Sequence, residues 1–139
     1  MLGKILVLQG NVASGKTSFA KTLVTKDTSY IRVNRDDIRN MFRTVWQMKD
    51  EELVKEVEKS IVKKAIHYDY NIVIDDVNLN PETCDMWKGL AKELGCAIEF
   101  KFIQCPLKEC IRRDALRTPS VGEKVIMNLY SKYLKMKLW

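Results

Sequence analysis

Short runs of apolar residues alternate along the chain with longer segments whose apolar residues recur every three or four positions. Four such runs are typical of strands in a buried parallel sheet: 4–9, 30–33, 72–75 and 97–103. The periodic segments predict helices that begin near residues 16, 37, 50, 81, 106 and 123. Because strands alternate with helices throughout, we expect a three-layer α/β domain with a central, mostly parallel four-stranded sheet.

Several of the predicted helices carry recognisable ends. Asn80 and Pro81 form an N-cap and first-turn pair, and Gly95 is of the residue type that most often ends a helix. Asp50 is placed as the cap of the long helix that ends near Asn71. The buried face of that helix is predicted to contain Leu53, Val54, Val57, Ile61, Ala65 and Tyr68. In the last helix, predicted over 123–136, the inward-facing residues are predicted to be Val125, Ile126, Leu129, Tyr133 and Met136.

The first predicted strand is followed by the loop GNVASGKT and then by a helix. The loop fits G-x-x-x-x-G-K-[ST], in which glycines let the main chain approach a phosphate and successive N–H groups surround it. Lys16 would reach the β- and γ-phosphates of a nucleotide, and the Thr17 hydroxyl would bind Mg²⁺. The alternative, a simple glycine-containing turn, fits the strand and helix on either side less well. The predicted nucleotide-binding residues are Gly10, Ala13, Ser14, Gly15, Lys16, Thr17 and Ser18.

Charged residues cluster where the second predicted strand ends, in the segment NRDDIR. Ligands of parallel sheets lie outside the carboxyl ends of the strands, so this segment should line one crevice with the phosphate-binding loop. A kinase that acts on an alcohol needs a base, and Asp36 or Asp37 is the candidate. Alternatively, one of these aspartates is the N-cap of the short helix. Arg39 shares a helical face with Asp36 and either clamps a phosphate of the acceptor or forms an ordinary ion pair.

Two later segments offer further candidates. The apolar run IVI ends in Asp75 and Asp76, an arrangement in which an acid contacts a metal through water or orients a neighbouring group. A turn or capping role for Asp76 is the alternative. Arg113 and Arg117 share a helical face. They either belong to a lid, over about 106–122, that brings arginines to the transferred phosphoryl group, or form a solvated basic surface.

The tryptophans and the composition change this picture little. Trp87 is predicted to be a core residue, and so are Trp46 and Met48, with a lid or substrate surface as the alternative for the latter two. The 139 residues fit one domain. Lys and Arg number 24 against 18 Asp and Glu, so the net charge of +6 favours an anionic partner but does not choose among nucleotide, nucleic acid and acidic lipid.

The cysteines and the hydropathy pattern bear on where the protein acts. The four cysteines form no C-x-x-C pair, which favours reduced thiols in a cytoplasmic protein over a structural zinc site. We expect no signal peptide, because the chain begins directly with a core strand. No apolar run is long enough for a transmembrane helix, so no membrane partner is expected.

Four segments together resemble a known family: GNVASGKTSFAKTL (10–23), VNRDDIR (33–39), IDDVNLNPET (74–83) and CPLKECIRRDALR (105–117). They are similar to the 5′-hydroxyl polynucleotide kinases, in particular to the kinase domain of bacteriophage polynucleotide kinase/phosphatases. The resemblance covers nearly the whole chain, although the loop lacks the proline that many relatives carry. The chain contains no D-x-D motif of an aspartyl phosphatase. We therefore expect a single kinase domain over 1–139 and no phosphatase domain.

The resemblance implies a role for individual residues. Asp36 would be the general base that takes the proton of the 5′-hydroxyl group, and Arg39 would contact a phosphate of the acceptor strand. Asp76 would be a supporting acid at the substrate site. Arg113 and Arg117 would be lid arginines that contact the nucleotide, with Arg117 the stronger candidate for stabilising the transferred group. The catalytic residues implied in this way are Asp36, Lys16, Arg117 and Arg39.

The function implied is Mg²⁺-dependent transfer of the ATP γ-phosphate to 5′-hydroxyl ends of DNA or RNA, in the repair of broken nucleic acid. One alternative is a small-molecule kinase that acts on a nucleoside, a sugar or an antibiotic. Another is a nucleotide-binding module that transfers nothing, although such a module has no need of Asp36. The sequence does not choose between DNA and RNA or between ATP and other donors, and the oligomeric state stays open, a homo-oligomer included.

Overall fold

The computed structural model describes residues 3–135 and arranges them in three layers, with a parallel sheet between two layers of helices. The sheet has the strand order β2-β3-β1-β4, and its strands are β1 (Lys4–Gln9), β2 (Tyr30–Val33), β3 (Asn71–Ile74) and β4 (Ala97–Phe102). Every neighbouring pair is parallel; Ile5 of β1, for example, lies opposite Ile72 of β3 and Ile98 of β4. The predicted fold class is confirmed.

Among the described residues, six α-helices connect and follow the strands: α1 (Lys16–Lys26), α2 (Arg35–Phe42), α3 (Glu51–His67), α4 (Pro81–Leu94), α5 (Leu107–Ala115) and α6 (Glu123–Leu129). A single 3₁₀ turn, Met48–Asp50, precedes α3, and a π-helical turn, Tyr130–Leu134, extends α6. The predicted inward position of Met136 lies outside the described residues. None of the helices within residues 3–135 is long and apolar enough to cross a membrane.

Side chains that alternate along β1 divide the core between the two faces of the sheet. Ile5 and Val7 belong to the larger cluster, under α3 and α4, whereas Leu6 and Leu8 pack on the other face against α1. Trp87 is fully buried in the larger cluster, as predicted, and its indole N–H donates to Asn78 Oδ1 at 3.1 Å. This hydrogen bond fixes the turn after β3, which is one wall of the site described below.

The residues predicted to begin and end α4 are confirmed, whereas the predicted start of α2 is wrong. In α4, Asn80 Oδ1 accepts from the Glu82 N–H, and Gly95 ends the helix in a left-handed conformation, as predicted. Helix α2 begins two residues earlier than predicted, because Asn34 is its N-cap and accepts from the N–H of Asp37 at 2.9 Å. Neither Asp36 nor Asp37 is therefore the cap, and both side chains are available for other roles.

Several burial predictions are wrong. Leu53, Tyr68 and Val125 are exposed. In α3 the predicted Val54 and Ala65 are buried, and Val57 and Ile61 are partly buried against the core. The buried stripe extends away from Leu53, to Glu58, Val62 and Ile66, and Tyr68 comes after the last helical residue. Asp50 stands at the N-terminus of α3 but makes no capping hydrogen bond, since its carboxylate accepts two hydrogen bonds from Arg43.

The predicted core positions of Trp46 and Met48 are also wrong. Both lie in the connection between α2 and α3, and both are exposed. Their side chains extend from a segment that carries only a single 3₁₀ turn, so no helical face turns them towards the core. The alternative interpretation, a surface that meets a substrate or a lid, is the one compatible with this exposure.

Candidate active site

The loop between β1 and α1 is tightly folded, and its glycines are required by that geometry. A Cβ atom on Gly10 would lie 2.7 Å from Ser14 Oγ and 3.0 Å from the carbonyl oxygen of Ile103. Gly15 has a φ of 109°, which side chains disfavour, and Ala13 adopts the left-handed region with φ 61°. Ser18 lies in the first turn of α1, where backbone N–H groups and the helix dipole favour an anion. The loop therefore has the geometry of a phosphate cradle.

Lys16 is buried within this cradle, with 8% of its surface exposed. Its ammonium group donates to the carbonyl oxygen of Asn11 at 2.6 Å and to Ser14 Oγ at 3.3 Å. Burial lowers the pKa of Lys16 to about 8; nearby Asp75 opposes this shift, and the positive charge of Arg117 adds to it. A polyphosphate bound in the loop would stabilise the charged form of this buried lysine.

Thr17 and Asp75 form the part of the site that suits a metal ion. The Thr17 hydroxyl donates to Asp75 Oδ2 at 2.8 Å. Asp75 is 1% exposed, and no hydrogen bond from the described residues reaches its buried Oδ1 atom. A hydroxyl group and a buried carboxylate with a free oxygen are oxygen donors of the kind that Mg²⁺ prefers, so these residues fit that ion. The structure places Asp75, rather than Asp76, against Thr17.

Arg32, for which the sequence pattern predicted no role, connects Thr17 and Asp75 to α2. Its Nε donates to Asp75 Oδ2 at 2.8 Å, and its Nη1 donates to Asp37 Oδ2 at 2.6 Å. Arg32 lies in β2 next to Val33, which pairs with Ile74, the last residue of β3 before Asp75. One sequence feature could have indicated its role. Arg32 is the single charged residue in an otherwise apolar strand, and the neighbouring strand of the sheet is followed by two aspartates.

Asp76 points to a different set of partners. Its Oδ1 accepts from the Arg35 N–H at 2.8 Å, while Glu58 Oε1 accepts from Arg35 Nε at 2.8 Å. The pKa of Asp76 is raised well above its ordinary value, first because the group is buried and then because it faces Glu58. This cluster holds the backbone at the start of α2. A substrate contact by Asp76 stays a prediction, and its role in support of the site is the one that its contacts favour.

Asp36 and Arg39 stand together on the exposed side of α2. Arg39 Nη1 donates to Asp36 Oδ1 at 2.7 Å, and the same guanidinium donates to both oxygens of Glu51, at 2.9 and 2.6 Å. The pKa of Arg39 is raised, first by Glu51 and also by Asp36. The ion pair proposed as one interpretation of Arg39 is thus present, and the carboxylate of Asp36 is 76% exposed, open to an incoming group.

Helix α5 and the turn that follows it bring two arginines to the same region. Because α5 ends at Ala115, Arg117 does not share a helical face with Arg113, contrary to the prediction. Arg113 Nη1 donates to the carbonyl oxygen of Ser14 at 3.4 Å, so it touches the phosphate-binding loop. Arg117 follows the end of α5, donates to Asp114 Oδ1 at 2.8 Å, and is close enough to Lys16 to influence its pKa. Asp114 also accepts from the N–H groups of Val121 and Gly122, at 3.0 and 2.8 Å. This buried aspartate, unnoticed in the sequence, ties the loop after α5 to the helix.

The structure thus brings nearly all the predicted site residues to one edge of the sheet. The loop after β1 and the turn after β3 are joined directly, because the Gly10 N–H donates to the carbonyl oxygen of Val77 at 3.1 Å. A phosphate cradle, a site suited to a metal, an exposed carboxylate and two arginines together can hold a polyphosphate and deprotonate a nearby alcohol. The chain has the fold of the P-loop kinases.

The comparison with protein families agrees with this class. The family model AAA_33, described as an AAA domain, matches residues 5–134, and the chain belongs to this family. Among curated proteins, it is 28% identical over 151 aligned residues to the "Putative bifunctional polynucleotide kinase/RNA ligase" of Autographa californica nuclear polyhedrosis virus, covering 96% of this chain and 21% of that protein. It is 26% identical over 134 residues to the L-seryl-tRNA(Sec) kinase of Methanococcus maripaludis, covering 93% of this chain and 52% of that protein.

Similar solved structures agree with the assignment of the fold. A chain in the structure described as the Pnkp1/Rnl/Hen1 RNA repair complex superposes with a TM-score of 0.83 at 25% identity, over 94% of this chain and 44% of that one. The APS kinase CysC of Mycobacterium tuberculosis, at 18% identity and a TM-score of 0.71, shares the fold. The chain spans about one fifth and about half of the length of the two curated relatives.

Proposed function

We propose that this protein is an ATP- and Mg²⁺-dependent kinase that transfers the γ-phosphate to the 5′-hydroxyl end of a polynucleotide, as a single kinase domain over 1–139. The observation that carries the proposal is the bridge between Asp75, Arg32 and Asp37, with Arg32 2.8 and 2.6 Å from the two carboxylates. Together with the hydrogen bond from Thr17 to Asp75, it joins the phosphate-binding loop to α2, the helix with the exposed Asp36. The proposed site for the phosphate donor and the proposed base for the acceptor would therefore lie together at the carboxyl ends of the strands.

On the donor side, the loop N–H groups and Lys16 would hold the β- and γ-phosphates of ATP. Lys16 needs little movement for this, since its ammonium group already lies within the loop. Thr17 and Asp75 are the residues that would hold Mg²⁺, which when bound neutralises charge on the β- and γ-phosphates. Arg113 and Arg117 would stabilise the charge on the transferred phosphoryl group, Arg117 more directly.

On the acceptor side, Asp36 would accept the proton of the 5′-hydroxyl group as its oxygen attacks the γ-phosphorus and ADP leaves. Arg39 orients this carboxylate from 2.7 Å. One of its guanidinium edges is already bidentate on Glu51, so an acceptor phosphate would be met by the edge that faces Asp36. Glu58, Arg35 and Asp76 would hold the start of α2 in place.

Two features favour a polynucleotide as the acceptor. The four sequence segments that resemble polynucleotide kinases include the acceptor segment VNRDDIR, and not the nucleotide loop alone. One curated relative is named for a polynucleotide kinase, and one structural relative belongs to an RNA repair complex. The net charge of +6 is compatible with a polyanion but does not choose it over other anionic partners. These names favour RNA repair over DNA repair, and the chain would act in the cytoplasm, where ATP is available.

A second candidate is a kinase for the seryl group of a tRNA, because another relative over 93% of the chain carries that name. Both acceptors present an alcohol next to a polyanion, so Asp36 would serve either reaction. A kinase for a small alcohol is the third candidate, and the shared fold of the APS kinase is compatible with it.

Competition among acceptors separates these functions. The protein would receive γ-labelled ATP and Mg²⁺ together with equal concentrations of a 5′-hydroxyl RNA, a 5′-hydroxyl DNA, a free nucleoside and a seryl-tRNA. A matched RNA with a 5′-phosphate is the control, because its acceptor oxygen is blocked. We expect label on the 5′-hydroxyl oligonucleotides and none on the control. Label confined to the nucleoside or the seryl group would replace the proposed acceptor, and ATP binding without transfer to any acceptor would contradict a kinase function.

A further inference from the structure

Large apolar side chains are exposed beside the acceptor residues. Between positions 41 and 48, four such residues lie on the surface: Met41, Val45, Trp46 and Met48. Trp46 is the largest of them and is 57% exposed. Neither the phosphate-binding loop nor the proposed base uses these side chains. An exposed tryptophan beside a catalytic site is a candidate for contact with a flat apolar group.

Trp46 is attached to the acceptor residues by hydrogen bonds. Its indole N–H donates to Glu51 Oε2 at 3.1 Å, and Arg39 donates to that same oxygen at 2.9 Å. Arg39 in turn donates to Asp36 at 2.7 Å. One carboxylate, Glu51, therefore sets the position of both the indole ring and the guanidinium. The ring is held by its polar atom while much of its surface remains open to solvent.

We propose that Trp46 stacks on a nucleobase within the first two nucleotides of the acceptor strand; the proposal rests on the function given above. A nucleotide at a 5′ end offers a sugar hydroxyl, a phosphate and a base. Asp36 would meet the hydroxyl, Arg39 the phosphate and Trp46 the base. Stacking suits an enzyme that acts on broken ends, because every base has an aromatic face and the contact tolerates any sequence. Trp46 is a binding residue in this assignment, since it touches no reacting atom.

The test compares two substitutions at Trp46 with a distant control. Trp46→Ala removes the ring, whereas Trp46→Phe keeps a stacking surface and loses the hydrogen bond to Glu51. Tyr68→Ala removes another exposed aromatic ring, at the far end of α3 from Glu51. Each protein would be assayed with a 5′-hydroxyl RNA and with the same RNA made abasic at its first two nucleotides. The readouts are kcat and KM for the acceptor, and sedimentation reports the oligomeric state.

We expect Trp46→Ala to raise the acceptor KM at least about fivefold, the factor that corresponds to the weak end of base stacking, with kcat within about twofold. Trp46→Phe should retain most of the affinity, and Tyr68→Ala should match the unaltered protein. The unaltered protein should bind the abasic RNA correspondingly more weakly, and Trp46→Ala should not distinguish the two RNAs.

Three results would overturn the proposal in distinguishable ways. If Trp46→Phe loses as much as Trp46→Ala, the residue acts through Glu51 and Arg39 rather than through stacking. If the acceptor KM is unchanged and Trp46→Ala converts an oligomer to a monomer, the exposed patch is an interface between copies. If the unaltered protein transfers phosphate to neither RNA, the proposed function fails and the assignment of Trp46 fails with it.

Discussion

Arg39 donates a hydrogen bond to Asp36 across 2.7 Å on α2, where Asp36 is exposed and Arg39 is half-buried. The arginine cannot swing freely, because its other two donor atoms hold Glu51 at the start of α3. The carboxylate proposed as the base is therefore oriented by a neighbouring helix as well as by its own. Asp36 and Arg39, held in place by Glu51, are the central residues of the proposed acceptor site.

Loss of the hydrogen bonds between Arg39 and Glu51 should weaken catalysis with the acceptor substrate and leave the binding of ATP unchanged. Glu51→Gln keeps the shape of the side chain but loses its charge, so Arg39 gains freedom to move off Asp36. We expect kcat/KM for the acceptor to fall about tenfold, equivalent to about 1.4 kcal/mol. The KM for ATP should stay within about twofold, as measured by steady-state kinetics with each substrate varied.

The matched control for that prediction is Glu52→Gln, one residue along the same helix, whose carboxylate is exposed and 3.7 Å from Lys55. It should leave both parameters unchanged, because an exposed ion pair of this kind contributes little. An equal loss in the two variants would mean that charge at the start of α3, rather than the bond to Arg39, accounts for the effect.

The pKa of Lys16 predicts that ATP affinity depends on pH. Burial lowers this pKa from 10.5 to about 8 in the free protein. As the pH rises through about 8 the free lysine increasingly loses its proton, but a bound polyphosphate favours its charged form, so ATP binding takes up a proton in this range. The Kd for ATP should therefore rise with pH above about 8, by up to tenfold per pH unit. Calorimetric titration from pH 6.5 to 9.5 in buffers of different ionisation enthalpy measures both the Kd and the proton uptake.

Folding stability should respond to Lys16 in the opposite sense. Between about pH 8 and 10.5 the unfolded chain binds more protons at this residue than the folded one, so the contribution of Lys16 to stability rises with pH. Lys16→Arg is the control for binding, because a guanidinium keeps its charge throughout this range. A Kd for ATP that rises equally in Lys16→Arg and in the unaltered protein would show that another group titrates.

Asp114 should contribute to stability in spite of its place in a basic segment. It is buried and accepts hydrogen bonds from Arg117, from Val121 and from Gly122. Asp114→Ala leaves two backbone N–H groups without their acceptor, which should cost about 2–3 kcal/mol in the free energy of unfolding. Chemical denaturation measures this loss. Arg112→Ala, which removes an exposed partner of Glu109, should change it by less than about 1 kcal/mol, and a similar loss in both variants would contradict a special role for Asp114.

The parts of the fold that follow from local sequence were predictable. Apolar runs gave the four strands to within one residue, and Asn80, Pro81 and Gly95 mark the ends of α4 because caps depend on adjacent residues alone. The phosphate-binding loop was predictable for the same reason, since its residues are consecutive. The polynucleotide acceptor rests on the resemblance and on the named relatives, and it stays a proposal.

The contacts between residues far apart in the sequence were not predictable, because they depend on how the helices pack. The sequence does not say that Glu58 is buried against Arg35 across 23 positions, or that Arg32 reaches Asp75 across 43. Nor does periodicity alone fix how far the buried stripe of α3 extends to either side, which is why Leu53 was predicted to be buried and is exposed. These contacts are set by tertiary packing, and they include the bridge that joins donor and acceptor sides. The catalytic roles of Asp36, Lys16, Arg39 and Arg117 stay predictions.

The role of Asp36 as the general base is tested by single-turnover transfer of labelled γ-phosphate from ATP to a 5′-hydroxyl RNA, with Asp36→Asn beside the unaltered protein. Asparagine keeps the size of the side chain but cannot take a proton. We expect transfer by Asp36→Asn to be about 10²- to 10⁴-fold slower, the usual contribution of a general base, with ATP affinity unchanged. Asp37→Asn, which alters the neighbouring carboxylate on Arg32, should lose less. A rate for Asp36→Asn within about twofold of the unaltered protein would show that Asp36 is not the general base.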